Sequence, residues 1–445
     1  MKLKAHFVGI GGIGVSALAR YFLAQNWDVT GSDSEEGIIT KELRHEGAKV
    51  KIGHYKNNID SDTTIVVYSQ AIPLDNPELV AAEQLNIPIS SYPEALGALT
   101  RENRTVAIAG SHGKSTTTAL AARVLISGGL DPTVIVGTRL KEFNNSNFRM
   151  GKTGYLVIEA DEYRDAFHNY QPDVIVLNNI DREHLDYYKN LRNVQKAFLA
   201  FVDNLKDGGI VIANSDDPGI RAIKSELPEE TIWFGLNGKT HVKHVKQIRK
   251  ILKIYGEFNV SNALAAYLVG EALGIADEDI EEAIAGYKGA WRRMEYRGKI
   301  KVGKHVVEIY DDYAHHPTEI KATLDAFRKH FSRSHLICVF QPHQLQRLKA
   351  LFQEFRQSFD DADSLILIDT YRVTGRDIVS HNVSSAKLAK AIAKSNRRMD
   401  VTYLPSQQNI KGLLSGIVNR TKAKSNVAVM MGAGDIVKLT DRLLQ

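Results

Sequence analysis

Cysteine is almost absent from this chain, whose 445 residues contain only Cys338, inside the apolar run LICVF. A single cysteine excludes an intramolecular disulfide framework, because such a bridge needs two thiols. So little cysteine is typical of proteins that work in a reducing compartment, and we therefore expect a cytoplasmic protein.

Long apolar runs and strong charge of one sign are also missing. No run reaches the roughly 18 to 20 apolar residues of a membrane span, so we expect none. The first residues superficially resemble a secretory signal, but His6 and the nearby glycines fit a phosphate-binding loop better. The net charge of +5, with 24% charged residues, is too small to indicate nucleic acid as a partner. The length predicts about three domains.

The chain does contain a phosphate-loop pattern at residues 105–118, TVAIAGSHGKSTTT. It predicts a buried strand, a tight turn and the start of a helix, with Gly110 and Gly113 letting the backbone close around an anion. Lys114 supplies a mobile positive charge, and Ser115 offers a hydroxyl to a magnesium ion. The pattern predicts a nucleoside triphosphate site made by successive residues: Gly110, Ser111, His112, Gly113, Lys114, Ser115 and Thr116. The alternative is a glycine-rich helix N-terminus that binds nothing.

A second glycine loop, GIGGIG, lies near the start of the chain, between a predicted strand, KAHFVG, and an apolar helix, VSALARYFLAQ. Gly9, Gly11 and Gly14 match the pattern G-x-G-x-x-G, and Asp33 lies about 20 residues on, where an acid can bind a ribose hydroxyl. A diphosphate is expected at this helix N-terminus. The glycines do not distinguish NAD, FAD and a nucleotide sugar, so a nicotinamide-dependent oxidoreductase is one alternative function.

Acidic residues and one histidine follow two later strands. The run GYLVIEADEYRD places Glu159, Asp161 and Glu162 at a strand end, and DVIVLNNIDREHLD places His184 after the next strand. Ligands of open α/β sheets bind at such ends, so we expect these groups to hold magnesium between the triphosphate and a second substrate. One alternative is that His184 only caps a helix. Another is a zinc site, which no cysteine pair or H-E-x-x-H motif supports.

A basic run at residues 239–253 has apolar residues at nearly helical spacing. Such a helix could bind RNA, a membrane or a partner. The simpler interpretation is that its apolar face packs against its own domain and its basic face is solvated.

Alternation of strands and helices restarts after Arg292, which predicts a further doubly wound sheet. Polar clusters follow two of its strands, DDYAHHP at 311–317 and QPHQLQR at 341–347, where a cleft would form. We therefore predict an α/β protein with a Rossmann-like N-terminal domain, a central phosphate-loop ATPase with a mostly parallel sheet, and a Rossmann-like C-terminal domain. The predicted domains are residues 1–101, 102–289 and 290–445.

Taken together, these motifs resemble the Mur ligase family of peptidoglycan precursor synthesis. The runs VGIGGIGVSALA, AGSHGKSTTT, EADE, NIDREHLD, FNVSNALAA, RRM, DDYAHHPTEI, FQPH and GAGDI stand in the family's order over nearly the whole chain. The resemblance implies an N-terminal domain that binds a UDP-linked sugar acid, a central ATPase and a C-terminal domain that brings the amino acid. It implies an ATP- and Mg2+-dependent enzyme that joins UDP-N-acetylmuramate to L-alanine, or a related amino acid, through an acyl phosphate. It leaves open whether the protein is a monomer or a dimer.

The resemblance also implies roles for individual residues. Catalysis is assigned to Lys114, Glu159 and His184, and metal binding to Ser115, Glu159 and His184. The residues expected to bind the UDP-sugar are Gly9, Gly11, Gly12, Gly14, Asp33 and Ser69. Besides the phosphate loop, ATP is expected to contact Asn259, Asn262, Arg292 and Asp312. The residues expected around the amino acid are Tyr313, His315, His343 and Arg347.

Two departures from the family's pattern leave the amino acid open. Gln344 stands where the family usually has an arginine after F-Q-P-H, and EADE continues as Tyr163-Arg164-Asp165 instead of Ser-Asp. One alternative is therefore a sister ligase that attaches a recycled murein peptide to the same sugar acid. Another is a nucleotide-switched binding protein without catalytic activity.

Overall fold

The computed structural model describes residues 2–372, 383–405 and 409–445, which form two compact units. The first unit consists of Met1–Glu183, Asn190–Leu252 and Ser261–Tyr287. The second consists of His184–Lys189, Lys253–Val260 and Lys288–Gln445. Two of the three sheets lie in the first unit and one lies in the second.

The first sheet begins with the predicted strand, glycine loop, helix and second strand. Its elements are β1 (Lys4–Val8), α1 (Ile13–Ala24), β2 (Asp28–Asp33), α2 (Ile38–His45), β3 (Lys49–Ile52), β4 (Ile65–Tyr68), α3 (Pro77–Gln84), β5 (Ile89–Ser91) and α4 (Tyr92–Glu102). The strands are parallel in the order β3-β2-β1-β4-β5, so the chain leaves β1 toward one side and returns on the other. The carboxyl ends of β1 and β4 therefore border a crevice of the kind in which open α/β sheets bind ligands.

The second sheet carries the phosphate loop. The elements of this region are β6 (Arg104–Ala109), α5 (Lys114–Ser127), β7 (Thr133–Leu140), β8 (Ser146–Arg149), β9 (Tyr155–Ala160), β10 (Val174–Leu177), α6 (Leu185–Tyr188), α7 (Leu191–Val202), β11 (Ile210–Asn214), α8 (Pro218–Arg221), β12 (Ile232–Phe234), α9 (Val242–Ile251), α10 (Glu257–Ala272) and α11 (Asp277–Ala285). The sheet order is β12-β11-β10-β6-β9-β7-β8, and all neighbours are parallel except β7 and β8. The carboxyl ends of β6, β9 and β10 therefore meet at one edge.

The basic run forms α9, and its apolar face packs within its own unit. Val245 and Ile248 are buried, whereas the basic side chains of Lys243, Lys246 and Arg249 are exposed. The helix packs against α11. The simpler interpretation of this run, an amphipathic helix with a solvated basic face, is confirmed.

The third sheet makes up most of the second unit. Its elements are β13 (Glu295–Val302), β14 (His305–Asp312), α12 (Pro317–His330), β15 (His335–Phe340), α13 (Leu345–Ala350), α14 (Phe352–Arg356), β16 (Ser364–Ile368), α15 (Ser385–Ser395), β17 (Asp400–Leu404), α16 (Ile410–Arg420), β18 (Asn426–Met431) and α17 (Ile436–Leu444). The order is β13-β14-β18-β15-β16-β17, with only the β13–β14 pair antiparallel. The five parallel strands bring their carboxyl ends to one edge.

Strand β15 is apolar after His335 because both faces of the sheet are covered there. Its successive residues point alternately into two hydrophobic clusters, with Cys338 and Phe340 in one and Ile337 and Val339 in the other. Both faces of the sheet are thus covered, as expected for parallel strands. The Cys338 thiol is buried, and this burial raises its pKa.

The predicted α/β fold with three sheets is confirmed, and the sheets are mostly parallel. The domain limits at 101 and 289 stay predictions. Within the part of the chain that the structure describes, no helix has both the length and the apolar character needed to cross a bilayer.

Candidate active site

The phosphate loop between β6 and α5 adopts a backbone conformation that requires glycine. Gly110 has a φ of +147° and Gly113 a φ of +80°, values that side chains disfavour. A Cβ atom added to Gly113 would lie 2.5 Å from Oδ1 of Asn262, and one added to Gly110 would lie 2.9 Å from Cβ of Asn178. Both the backbone and the neighbouring side chains therefore select glycine here.

Helix α5 begins without a capping side chain. Its N-cap is Gly113, whereas Asn76, Ser91 and Asn190 cap α3, α4 and α7 by accepting hydrogen bonds from backbone N–H groups. First-turn N–H groups carry the positive end of the helix dipole and bind anions when no side chain caps them. The start of α5 is therefore suited to phosphate at Lys114, Ser115 and Thr116.

The middle of the loop is fixed by the segment that follows β10. The N–H of Ser111 donates to the carbonyl oxygen of Asn179 at 3.1 Å, and the N–H of His112 donates to Asn179 Oδ1 at 2.7 Å. The His112 imidazole Nε2 lies 3.1 Å from a carboxylate oxygen of Asp181. Sequence reasoning missed Asn179, whose signal is its place in the polar run NNID at a strand end.

Lys114 is the cation of this loop. Its Nζ donates to the carbonyl oxygen of Gly110 at 2.6 Å and to Oε2 of Glu162 at 2.7 Å. Burial alone would lower the pKa of Lys114, but the carboxylates of Glu162, Asp161 and Glu159 outweigh it and raise the pKa. Lys114 is therefore a positive charge held beside the uncapped helix start.

Glu159 and Ser115 lie at the same edge of the sheet as the phosphate loop. Glu159 is near the end of β9, where its Oε1 accepts a hydrogen bond from the backbone N–H of Gly137 at 2.7 Å. Ser115 is the second residue of α5 and is buried. Hydroxyl and carboxylate oxygens are the ligands that magnesium prefers. The donor chemistry of these two residues therefore fits the magnesium ion predicted for them.

His184, the third predicted metal ligand, belongs to the second compact unit. It precedes α6 with a φ of +51°, and its carbonyl oxygen accepts hydrogen bonds from the N–H groups of Tyr187 and Tyr188, each at 2.9 Å. The backbone of His184 thus starts a short helix. A role for its imidazole in metal binding stays a prediction.

The first glycine loop is anchored to β2. The N–H groups of Gly9 and Ile10 both donate to the carbonyl oxygen of Ser32, at 2.9 and 3.0 Å. Asp33 Oδ2 accepts a hydrogen bond from the N–H of Gly11 at 2.8 Å. Asp33 therefore shapes the loop itself, and its predicted contact with a ribose stays a prediction.

Two glycines of this loop lie close to residues that follow later strands. Gly9 has a φ of +80°, and a Cβ atom added to it would lie 3.1 Å from Cβ of Ser69. A Cβ atom added to Gly14 would lie 2.8 Å from Cζ of Tyr92, so glycine is needed there to accommodate the phenol ring. The N-cap of α1 is Gly12, and no side chain caps this helix either. The loop thus presents a second uncapped helix start.

The residues predicted around the amino acid come together at the carboxyl ends of β14 and β15. The ring of His315 contacts those of Tyr313 and His343, with centroids 5.4 and 5.9 Å apart. Arg347 Nη1 lies 3.4 Å from Nδ1 of His343. Tyr371 stacks on His343 at 5.4 Å and was not predicted as a site residue. The four predicted residues and Tyr371 form one aromatic and cationic cluster.

Arg292 and Asp312, which were predicted to bind ATP, are engaged with the backbone of their own unit. Arg292 Nη2 donates to the carbonyl oxygens of Gly432 and, at 3.0 Å, of Gly434. Asp312 Oδ2 accepts from the N–H of Met294 at 2.8 Å, and burial raises the pKa of this carboxyl. Both side chains therefore organise the loops at this sheet edge, and their contact with ATP stays a prediction.

The two asparagines predicted to contact ATP lie one turn apart on α10. Asn262 belongs to the first unit, where its side chain lies against Gly113. Asn259 groups with the second unit, and its Nδ2 donates to the carbonyl oxygen of Tyr255 at 2.6 Å. Only Asn262 is therefore placed at the phosphate loop by contacts within one unit.

Comparison with known families gives three successive matches along the chain. The profile described as "Mur ligase family, catalytic domain" matches residues 4–104, "Mur ligase middle domain" matches 108–270, and "Mur ligase, glutamate ligase domain" matches 292–440. Each match contains one of the three sheets almost completely.

Full-length relatives are similar over nearly their entire sequences. The UDP-N-acetylmuramate--L-alanine ligase of Sulfurihydrogenibium sp. is 39% identical, with 99% of this chain and 97% of the relative covered. The enzyme of the same name from Persephonella marina is 38% identical, with 99% and 96% covered.

Solved structures share the fold. The UDP-N-acetylmuramate-alanine ligase of Thermotoga maritima superimposes with a TM-score of 0.79 at 24% identity, covering 99% of this chain and 98% of that one. A murein peptide ligase from Psychrobacter arcticus gives a TM-score of 0.69 at 22% identity, with the same coverage of both chains. With three matching profiles and relatives of this identity over almost its whole length, the chain belongs to the Mur ligase family.

Proposed function

We propose that this protein is an ATP-dependent ligase that joins the carboxylate of UDP-N-acetylmuramate to L-alanine. The relatives that support this substrate pair carry that activity in their names at 36 to 39% identity. The observation that carries the proposal is the Lys114–Glu162 pair at the phosphate loop, in the same compact unit as the first glycine loop. One unit thus offers a cationic triphosphate site and a second, uncapped anion site.

The chemistry follows from the poor reactivity of a carboxylate toward an amine. A carboxylate oxygen of the sugar acid attacks the γ-phosphorus of ATP, the bond to the bridging oxygen breaks, and ADP leaves. The amine of L-alanine then attacks the acyl phosphate, loses a proton and expels inorganic phosphate. Both steps depend mainly on alignment and on stabilisation of moving negative charge.

Three residues of the first unit carry this stabilisation in the proposal. Lys114 neutralises the β and γ phosphates, because it stays protonated among its carboxylate neighbours. Ser115 and Glu159 would hold the magnesium ion, which supplies positive charge to the phosphate oxygens when it is bound. The backbone N–H groups at the start of α5 complete the phosphate site.

The amino acid is proposed to bind at the aromatic and cationic cluster of the second unit. Arg347 offers a planar fork to the carboxylate of L-alanine. Tyr313, His315 and His343 surround it. Gln344 is buried with a φ of +66° at the N-cap of α13, so the position after F-Q-P-H starts a helix here.

The alternatives are weaker on specific grounds. The sister ligase that uses a recycled murein peptide is not favoured, because the full-length relatives described above are L-alanine ligases. An oxidoreductase leaves the Lys114 loop without a role. A nucleotide-switched binding protein would show no turnover that depends on an amine, so the phosphate-release assay distinguishes it from a ligase.

A cytoplasmic location is part of the proposal and rests on the scarcity of cysteine.

The test is release of inorganic phosphate by the purified protein with UDP-N-acetylmuramate, ATP, magnesium and a panel of amino acids. We expect release that requires both the sugar acid and L-alanine. The murein tripeptide is included as a separate acceptor, and release with the tripeptide alone would favour the sister ligase. Absence of release with every amine would contradict a ligase activity.

A further inference from the structure

Tyr92 lies at the start of α1 although it belongs to α4. It is the first residue of α4 and directly follows β5, the neighbour of β4. A Cβ atom added to Gly14 would lie 2.8 Å from Cζ and 3.0 Å from Oη of Tyr92. Gly14 is the second residue of α1, so the phenol hydroxyl lies against the first turn of that helix. This is the crevice side of the sheet, where strand order reverses between β1 and β4.

The hydroxyl of Tyr92 has no hydrogen-bond partner among residues 2–372, 383–405 and 409–445, and the side chain is partly buried. Partly buried tyrosine hydroxyls usually find a partner. Two other partly buried tyrosines have protein partners, since Tyr403 donates to Asp369 at 2.6 Å and Tyr155 accepts from Arg104 at 2.9 Å. Within these residues the Tyr92 hydroxyl is therefore not used by a protein acceptor, and it lies at the edge of a predicted anion site.

The charges around Tyr92 fit a neutral donor. Burial raises the pKa of Tyr92, and the carboxylates of Glu159 and Asp161 raise it further. The phenol therefore keeps its proton at neutral pH. Tyr92 is thus near both the first glycine loop and the acidic edge of the second sheet, within one unit.

We propose that the Tyr92 hydroxyl donates a hydrogen bond to an anionic oxygen of the nucleotide sugar, in the crevice beside Gly14. The nucleotide sugar carries two such groups, the diphosphate and the carboxylate of the sugar acid. Its identity as the ligand rests on the proposed function. Tyr92 is accordingly a binding residue that helps to align the sugar acid between the first glycine loop and Glu159. It also explains why residue 14 is glycine.

The experiment compares Tyr92→Phe with the wild-type full chain by calorimetric titration without ATP. The probes are UDP and UDP-N-acetylmuramate, and an ATP analogue is titrated separately. Loss of a hydrogen bond to a charged oxygen should weaken binding about 10-fold or more. The Kd of the ATP analogue should stay within about twofold, because the phosphate loop is unchanged. Tyr21→Phe is the matched control, since Tyr21 lies on α1 and its hydroxyl bonds the Gln25 side chain instead.

Comparing the two probes shows which oxygen of the nucleotide sugar accepts the hydrogen bond from Tyr92. Weaker binding of both UDP and UDP-N-acetylmuramate by Tyr92→Phe places the hydrogen bond on the diphosphate, and weaker binding of UDP-N-acetylmuramate alone places it on the sugar acid. Unchanged binding of both overturns the inference, as does an equal loss in Tyr21→Phe. A second variant, Gly14→Ala, should reproduce the loss because the added methyl group displaces the phenol.

The inference and the proposed function can fail separately. Wild-type protein that binds UDP-N-acetylmuramate but releases no phosphate with any amine would contradict the ligase, while the Tyr92→Phe comparison would still be decided. Wild-type protein that binds neither UDP nor UDP-N-acetylmuramate would overturn the inference about Tyr92. Thermal unfolding of each variant checks that the fold is kept.

Discussion

The two glycine loops of the first unit share a backbone plan and differ in how charge is arranged around it. Each follows a buried strand and starts a helix whose N-cap is a glycine, Gly12 for α1 and Gly113 for α5. The second loop has Lys114 held against Glu162. The first loop has no lysine or arginine of its own, and Asp33 binds its backbone instead.

The difference in charge matters because binding an anion and transferring a phosphoryl group need different groups around the loop. A diphosphate that only needs to be held can be bound by backbone N–H groups and a helix dipole. A phosphoryl group in transfer redistributes negative charge, and a cation placed beside it stabilises that change. Under the proposed function, the first loop therefore binds the nucleotide sugar and the second loop carries the chemistry.

Removing the cation of the second loop should have the largest effect. In Lys114→Ala we expect phosphate release to fall by about a thousandfold or more, because the variant lacks the side-chain cation that neutralises the β and γ phosphates in the proposed function. The Kd for UDP-N-acetylmuramate, measured by calorimetry, should stay within about twofold. Equal losses of turnover and of nucleotide-sugar binding would contradict the separation of roles. Because Glu162 loses its partner, Lys114→Ala with Glu162→Gln is the control for folding.

Adding a methyl group to one glycine in each loop should separate the two substrates. Gly113→Ala and Gly9→Ala both place a side chain at a φ of +80°. We expect Gly113→Ala to raise the KM for ATP about 10- to 100-fold and Gly9→Ala to do the same for UDP-N-acetylmuramate, as the strain distorts one loop at a time. Steady-state kinetics with each substrate varied in turn measures this.

Gly129→Ala is the matched control for these two variants. Gly129 has a φ of +76° and open space around its Cα, so it introduces similar strain away from both loops. It should lower stability by about 1 kcal/mol and leave both KM values unchanged. If Gly9→Ala and Gly113→Ala each changed both KM values equally, the result would contradict separate sites for the two substrates.

Asp33 should support nucleotide-sugar binding by holding the backbone of the first loop, not by its negative charge. In Asp33→Ala the N–H of Gly11 loses its acceptor, and we expect the KM for UDP-N-acetylmuramate to rise about 10-fold. Asp33→Asn keeps an acceptor oxygen and should recover most of this loss. If Asp33→Asn is as impaired as Asp33→Ala in steady-state kinetics, the negative charge of Asp33, and not its hydrogen bond, supports binding.

The smallest effect on turnover is expected beneath the first loop, at Glu78. This buried carboxylate accepts hydrogen bonds from Ser32 Oγ at 2.6 Å and Asn58 Nδ2 at 2.5 Å, and lies 3.1 Å from His6 Nε2. Burial alone would raise the pKa of Glu78, but these partners outweigh it and lower the pKa. Its stabilising contribution is therefore present above the ordinary carboxyl pKa and is lost as the pH falls through the lowered one.

Glu78→Gln tests this directly by chemical denaturation at several pH values. We expect the variant to be less stable at neutral pH by roughly 2 to 4 kcal/mol, with the difference shrinking under acid conditions. Turnover at neutral pH should fall only a few-fold, because Ser32 keeps its backbone contact with Gly9 and Ile10. A stability difference that grows on acidification would contradict the assigned sign.

Local patterns were sufficient to predict the two loops and most of the elements around them. Strand, glycine turn and helix are encoded within about 20 residues in each case, so periodicity and glycine spacing identify them. The edge hairpin of β7 and β8, which joins the sheet through the pairing of β7 with β9, was not predicted. The cluster of Tyr313, His315, His343 and Arg347 was predicted from motifs, whereas Tyr371 follows a different strand and carries no motif.

Contacts between elements that are distant in the sequence were beyond sequence reasoning for the same physical reason. Tyr92 meets Gly14 only because α4 folds back over the start of α1, and nothing in its own neighbourhood signals this. Asp33 was correctly placed beside the first loop, but its hydrogen bond to Gly11 depends on loop geometry that spacing does not encode. Sequence patterns therefore located the two glycine loops better than they located the side chains that shape them.

The most direct test of the account is phosphate release measured in the complete mixture of UDP-N-acetylmuramate, L-alanine, ATP and magnesium, and in mixtures that each lack one component. We expect sustained release only in the complete mixture, and we expect Lys114→Ala to bind UDP-N-acetylmuramate as the wild type does. Release that does not need the nucleotide sugar, or loss of nucleotide-sugar binding in Lys114→Ala, would contradict it.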